Sequence, residues 1–440
     1  MFRRILPREW SAPLTCRTLA ALLLVLGLAA DARAQWTQWG GPHRDFSCDS
    51  TGLADKWPES GPPKVWTREI GSGHSTIVVD RGRLYTMCRR DEQDAVLALD
   101  ADTGQTIWET RYDAPTTEGM QLEFGAGPHA TPLIVGDRIF TVGAMVHFNC
   151  LDRETGKILW SHDLAAEFGA SNLRRGYGAS PLAYKDLVIV NVGPTRGVAG
   201  AGVAAFKQDT GELAWKSAQF GAGYASPILV RFNDEDHLIV ALGGDRVGLD
   251  PATGEIRWQT QVPSQEFGIM ATPLWIGPDK LFCSAGYGGG SRLFQFAVED
   301  GKCVPNALWH YRKMQVVHGT MARADDVIYA SSGGSFGPAF MMAIDLKTGE
   351  PLWRDRTFAK ANVLLADGKL IILDEKGTLA LATATRDGLD VHSKVDGVLQ
   401  EKSWTAPTLV GTRLYLRDHH TIMALDLGAG VQRTARADAH

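Results

Sequence analysis

A short phrase recurs along the chain: LALDADTGQTIW (Leu97 to Trp108), LDRETGKILW (Leu151 to Trp160), FKQDTGELAW (Phe206 to Trp215), LDPATGEIRW (Leu249 to Trp258) and IDLKTGEPLW (Ile344 to Trp353). A stretched copy, FAVEDGKCVPNALW, runs from Phe296 to Trp309, and worn copies surround 383–388 and 425–430. With the motif glycine as marker, successive copies stand 39 to 55 residues apart. A period of that size defines an array of like units, each too small to bury its apolar face alone.

Each copy opens with period-two alternation, as in VLAL or MMAI, the pattern of a strand with one buried face. In the Asp-x-x-Thr-Gly that follows, Asp and Thr bond nearby backbone N–H groups, and Gly takes positive φ at no steric cost. The chain therefore reverses into a second strand that carries Trp, a flat residue suited to wedging between units with its N–H on a backbone acceptor. Upstream of each copy lies a small residue, usually with Pro, and a second hairpin; these begin at Ser75, Ala130, Ala179, Ala225, Ala271, Gly319, Ala361 and Thr405. Two hairpins make four strands per unit, the blade of a β-propeller, and the copies number eight. The last unit ends at LDLGAG without its Trp strand, whereas PKVWTREI (Pro63 to Ile70) stands unclaimed before the first. The expected fold is all-β, an eight-bladed β-propeller of four-stranded antiparallel blades, closed by pairing of residues 64–70 with 412–427. Closure hides the edges that an open array would expose.

Residues 1–34 read as a cleaved signal peptide. Arginines lead into an apolar core, TLAALLLVLGLAA (Thr18 to Ala30), and Ala32-Arg33-Ala34 supplies a small-x-small cleavage site. Thirteen apolar residues are short for a span, so export to the periplasm or beyond is expected, without stable membrane insertion. Removing five arginines and two acids moves the formal charge from -5 to -8, a poor balance for binding nucleic acid. Five scattered cysteines then remain, with no CxxC and no zinc-type spacing, which suits buried thiols; a Cys283 to Cys303 bridge is the alternative. Residues 35–63 form a Trp/Gly/Pro-rich arm in which Trp36, Trp39 and Trp57 are expected to pin the segment across blade surfaces. Residues 64–430 form the propeller and 431–440 a disordered tail.

If the Pro-containing strand is innermost, the positions three residues before the Pro site ring the channel mouth. They are His74, His129, Gly178 with Tyr177 beside it, Tyr224, Met270, His318, Lys360 and Trp404. The long connection Asp113 to Pro128 and the loop carrying Arg174 and Arg175 open on the same face, as do the Gly-rich loops inside blades. The ring is the expected ligand face, with ordered water as its plainer occupant. His74 and His129 come from adjacent blades and His318 from nearly across the wheel, so no metal site is expected.

The AxDxxTGxxxW pattern, as in ALDADTGQTIW and AIDLKTGEPLW, resembles the tryptophan-docking repeat of the pyrroloquinoline quinone (PQQ) propellers, the quinoprotein alcohol dehydrogenase-like superfamily. QWGGPHRDF is similar to the leader of bacterial secreted PQQ-like repeat proteins. The resemblance implies one of two functions. The dehydrogenases hold PQQ and Ca²⁺ over the channel; they carry adjacent bridged cysteines, a calcium set and an Asp base, and this chain has no adjacent cysteines. In that alternative Trp404 or Tyr224 would stack on the quinone, Lys360 or Arg175 would pair with its carboxylates, and a ring His would accept the proton. The non-catalytic relatives include an outer-membrane assembly lipoprotein, whose lipid-bearing cysteine has no counterpart here because Cys16 precedes the apolar core. The favoured expectation is a monomeric, exported scaffold without a cofactor, which binds a protein, peptide or glycan partner at the channel face.

Overall fold

The recurrent turn builds itself from its own side chains. Asp100 Oδ1 accepts from the backbone N–H of Asp102 (3.1 Å) and Thr103 (2.8 Å) and from the Thr103 hydroxyl (2.8 Å). Asp152, Asp250 and Asp345 fold their turns through the same Oδ1 contacts to backbone N–H groups. The glycine that closes each turn is left-handed, φ +71° at Gly104 and +72° at Gly156.

A computed structural model describes residues 35–430, apart from 172–173, 195–197, 199, 218–219, 263–270, 318, 334–337 and 359. The expected leader and tail, 1–34 and 431–440, lie outside the described residues. Among these residues the chain forms eight four-stranded antiparallel sheets. The first blade shows the pattern: Val78–Asp80, Arg83–Arg90, Gln93–Asp100 and Thr106–Asp113 pair in chain order from inner to outer strand. Blades 2 to 7 repeat that order, with inner strands at Leu133–Val135, Leu182–Tyr184, Ile228–Phe232, Leu274–Ile276, Met321–Ala324 and Asn362–Ala366. Blade 8 takes Thr408–Val410, Arg413–Arg417 and Thr421–Asp426 from the C-terminal end. Its outermost strand is Lys64–Glu69, in antiparallel register with Thr421–Asp426 through Thr67 opposite Met423. The wheel is closed as the unclaimed segment predicts.

Two sets of contacts join neighbouring blades. On the outside, Trp66, Trp108, Trp160, Trp215 and Trp309 lie against the turn glycine of the next blade and donate to a turn carbonyl, as Trp66 does to Ala101 O (3.0 Å), Trp108 to Arg153 O (3.1 Å), Trp160 to Gln208 O (3.2 Å) and Trp309 to Leu346 O (2.9 Å). Trp353 keeps the hydrogen bond, to Thr385 O (2.9 Å), without the glycine contact. The packing is tight: a Cβ built on Gly156 would stand 2.5 Å from the Trp108 ring. Trp258 departs from this pattern because the next blade carries the stretched copy. There Gly290–Glu299 and Lys302–Tyr311 run ten residues each, no atom lies within 4 Å of a Cβ built on Gly301, and Trp258 packs edge-on against Phe296.

Nearer the axis, a Ser or Thr before the inner strand of blades 1, 3, 4, 6 and 8 bonds to the adjacent blade. Ser75 Oγ donates to Ala130 O (2.8 Å), Ser180 Oγ accepts from Thr131 N (2.9 Å), Ser226 Oγ accepts from Ser180 N (2.9 Å) and Thr320 Oγ1 accepts from Val363 N (2.7 Å). Thr405 Oγ1 donates to His74 O (3.2 Å) across the seam. These hydroxyls satisfy backbone groups that sheet pairing leaves over where blades meet.

The arm lies along the opposite ends of the inner strands. Trp36 exchanges both backbone hydrogen bonds with Val79 of blade 1 (2.9 and 2.8 Å), Thr37 O accepts from Ile134 N of blade 2, and Phe46 O accepts from Leu365 N of blade 7. Ala54 N reaches Leu427 O (2.7 Å), and Trp57 N donates to Ser393 Oγ (2.7 Å). Trp36 and Trp57 are buried in the core shared by blades 1, 2, 7 and 8, which pins the arm as expected. The five cysteines are free, so Cys283 and Cys303 are not bridged. No helix among the described residues is long and apolar enough to cross a membrane.

Candidate functional site

The residues that precede the inner strands of blades 1, 2, 3, 4 and 8 face one common space because those strands begin there, and the connection from the previous outer strand arrives on the same face. A cavity of about 180 Å³ results, lined by His74, His129, Gly178, Tyr224 and Trp404 from the ring, Arg175 from its loop, and Phe124 from the long connection. Below these rings the wall is polar, with Thr76, Ser226, Thr272 and Asn362. Trp39 of the arm also lines the cavity, with its indole N–H on Thr272 Oγ1 (2.9 Å). Beside it lies an open hollow of about 560 Å³, which shares His74 and Phe124 and adds Glu123, Glu375, Lys376, Glu401, Lys402, His419 and His420.

Three imidazoles cluster where the two spaces meet. His74 stacks on His129 (centroids 5.7 Å apart, planes 8° apart) and lies 5.0 Å from His419 and 5.5 Å from the Trp404 ring. His74 Nε2 donates to Phe124 O (3.3 Å), which leaves Nδ1 as a buried acceptor with no partner among the described residues. His129 Nε2 donates to Arg175 O (2.8 Å). Burial holds all three below the ordinary imidazole range, helped at His74 by the like charge of His129, His419 and Arg417. They are neutral near pH 7. A Cβ on Gly125 would meet the His419 ring at 2.2 Å, so glycine is required for that close approach.

The charged rim is ordered in pairs. Arg175 meets Glu123 (3.0 Å) and lies over the Phe124 ring at 5.3 Å. Glu375 accepts from Trp404 Nε1 (3.2 Å) and pairs with Lys360 (3.3 Å). Glu401 meets His420 (2.6 Å). Lys402 sits 4.8 Å from the centroids of both Phe124 and Trp404, and these two rings meet edge to face at 4.8 Å.

Of the residues expected at the mouth, the structure brings His74, His129, Tyr224, Trp404 and Arg175 together. Tyr177 does not join them: its ring is buried in the core of blades 2 and 3 and its hydroxyl donates to Asn191 O (3.1 Å), leaving Gly178 to face the channel. Alternation explains the correction, since one residue along the strand approach reverses the side-chain direction. Lys360 also stands off the cavity, held by Glu375. Met270 and His318 lie outside the described residues. The sequence reading missed Phe124, Lys402 and His419, which come from connections without a repeat to align them. It placed Trp39 only on the arm, although it reaches the channel.

These residues do not suit PQQ with Ca²⁺. The channel cavity of about 180 Å³ takes a single ring, as an engineered cavity of ~150 Å³ holds one benzene, so three fused rings would have to lie in the outer hollow. The expected carboxylate partners, Lys360 and Arg175, already hold Glu375 and Glu123. Among the described residues no group of three His, Cys, Asp or Glu side chains could hold a metal ion.

Comparison with known proteins places the geometry in context. The sequence profile described as outer membrane protein assembly factor BamB matches residues 29–143 and 92–355. The chain is 24% identical over 430 residues to the outer membrane protein assembly factor BamB of Burkholderia pseudomallei, covering 92% of this chain and 95% of that one. It is 24% identical over 300 residues to its namesake from Yersinia pestis, 66% of this chain and 72% of that one. Among solved structures, BamB from Moraxella catarrhalis superposes with a TM-score of 0.56 at 16% identity, covering 83% of this chain and 99% of that one. The quinohemoprotein alcohol dehydrogenase of Comamonas testosteroni does so at 0.64 and 14%, covering 92% and 82%. Likeness at such identities establishes the shared propeller and nothing of its chemistry.

Proposed function

The chain belongs to the outer membrane protein assembly factor BamB family, and from that premise we propose that it is an exported, non-catalytic propeller that holds a protein partner at the channel face. In this reading residues 1–34 are removed on export, and the mature chain works as a monomer in the periplasm, its last blade completed by its own strand. The observation that carries the reading is the mouth itself: Phe124, Trp404, His74 and Tyr224 present ring surface beside Lys402 and Arg175. Aromatic and cationic side chains around a recess are the make-up of a protein-binding hot spot. Proton transfer finds little support there, because the three imidazoles resist protonation and the nearby carboxylates Glu123 and Glu375 are engaged by Arg175 and Lys360.

The test is photo-cross-linking in intact envelopes, with the reactive group placed at position 402. A discrete protein adduct is expected, and its yield should fall in a Trp404→Ala background. No adduct, or one indifferent to Trp404→Ala, would remove this face as the site.

A further inference from the structure

We infer that the mouth selects an aromatic side chain flanked by carboxylates on the partner polypeptide; this rests on the reading of the channel face as the binding face. The recess fixes the size of what enters. At about 180 Å³ it is slightly larger than the ~150 Å³ cavity that takes one benzene ring. Its upper wall is ring surface from Phe124, His74, Tyr224 and Trp404, and Trp39 lines it from the arm. Trp39 is held there by its bond to Thr272, which limits depth to one side chain.

Charge fixes what surrounds that ring. The carboxylates of the outer hollow are engaged: Glu123 has Arg175, Glu375 has Lys360, and Glu401 accepts from the His420 ring N–H. Asp418, just behind it, accepts from the backbone N–H groups of Gln400, Glu401, His420 and Thr421. Lys376 and Lys402 line the same hollow, are exposed, and have no carboxylate partner among the described residues. Lys376 and Lys402 therefore outnumber Glu401, the one carboxylate there without a Lys or Arg partner among the described residues, and Lys402 stands directly over the two rings that an aromatic guest would pass. A basic segment would be repelled by Lys376 and Lys402. An acidic segment without a ring would leave the recess unfilled.

Fluorescence anisotropy with labelled pentapeptides tests the inference on the purified full propeller. The probe carries phenylalanine between two glutamates; one control replaces the phenylalanine by alanine and the other replaces both glutamates by lysine. The probe should bind with an affinity that falls as salt rises, and each control should bind at least ~tenfold more weakly. Lys376→Ala with Lys402→Ala should weaken the probe by a similar factor and leave the circular dichroism spectrum unchanged. Equal binding by all three peptides, or no binding of the probe at about 1 mM, overturns the inference. The cross-link at position 402 then separates the two readings: an adduct sensitive to Trp404→Ala leaves the face in place and removes only this ligand chemistry.

Discussion

A glycine in this wheel is judged by what would meet its side chain. Gly156 and Gly301 share nearly the same backbone angle, φ +72° and +74°, yet a Cβ would strike Trp108 at the first and nothing at the second. Alanine at either place costs about 1–2 kcal/mol for the left-handed conformation. At position 156 overpacking adds about 1–3 kcal/mol more. Urea denaturation should therefore show Gly156→Ala as the more destabilised variant; equal losses would mean that the Trp-on-glycine contact contributes nothing. The same scale explains which mouth residues were legible beforehand. His74, His129, Tyr224 and Trp404 hold equivalent places in an aligned repeat, so spacing alone brings them to the axis. Tyr177 sits one residue off that place, and the reversal of side-chain direction sends it into the core instead.

Strands and turns were the most readable elements, because hydrophobic alternation and Asp-x-x-Thr-Gly chemistry are local. The connections were not. Phe124, Lys402 and His419 owe their positions to segments of unequal length that share no pattern, and the arm that carries Trp39 has no periodicity. The closing strand was legible by elimination, one Trp strand being absent at the end and one spare at the start. Its dependence on pairing can be measured: Ile70→Pro removes the hydrogen bond from Ile70 N to His420 O (2.7 Å) and a buried side chain beside the seam. The variant should melt at a lower temperature and elute partly as larger species, since the freed edge of Thr421–Asp426 can pair with other chains. A monomer of unchanged stability would show that the ring does not need this strand.

At the scale of the whole molecule, the mouth links folding to acidity. An imidazole in the unfolded chain takes its proton near pH 6.5, whereas His74, His129 and His419 resist it when folded. As pH falls below about 6.5 the unfolded state binds more protons, so stability present above that value is lost on acidification. Buried Asp94, its carboxyl raised to about 6, acts in the opposite sense, gaining its proton in the fold before the unfolded chain does. The histidine share is therefore isolated by comparison with a variant. His129→Gln, which keeps a donor for Arg175 O, should flatten the dependence between pH 7 and 5 by up to about 1.4 kcal/mol per pH unit. Identical slopes for variant and parent would mean that the cluster titrates as it would in water.

The pairing of Lys64–Glu69 with Thr421–Asp426 also sets an order of assembly. The first strand to emerge from a ribosome or a translocon must wait, unmatched, until the last has been delivered, so no growing chain can finish early. The arm at Gly52 and Ala54 meets the chain that leaves the last strand at this joint, with Ala54 N on Leu427 O and Ala429 N on Gly52 O. Joining residue 429 to residue 52 through a short linker and cutting the backbone at another blade boundary would move the waiting period elsewhere and leave the eight sheets as they are.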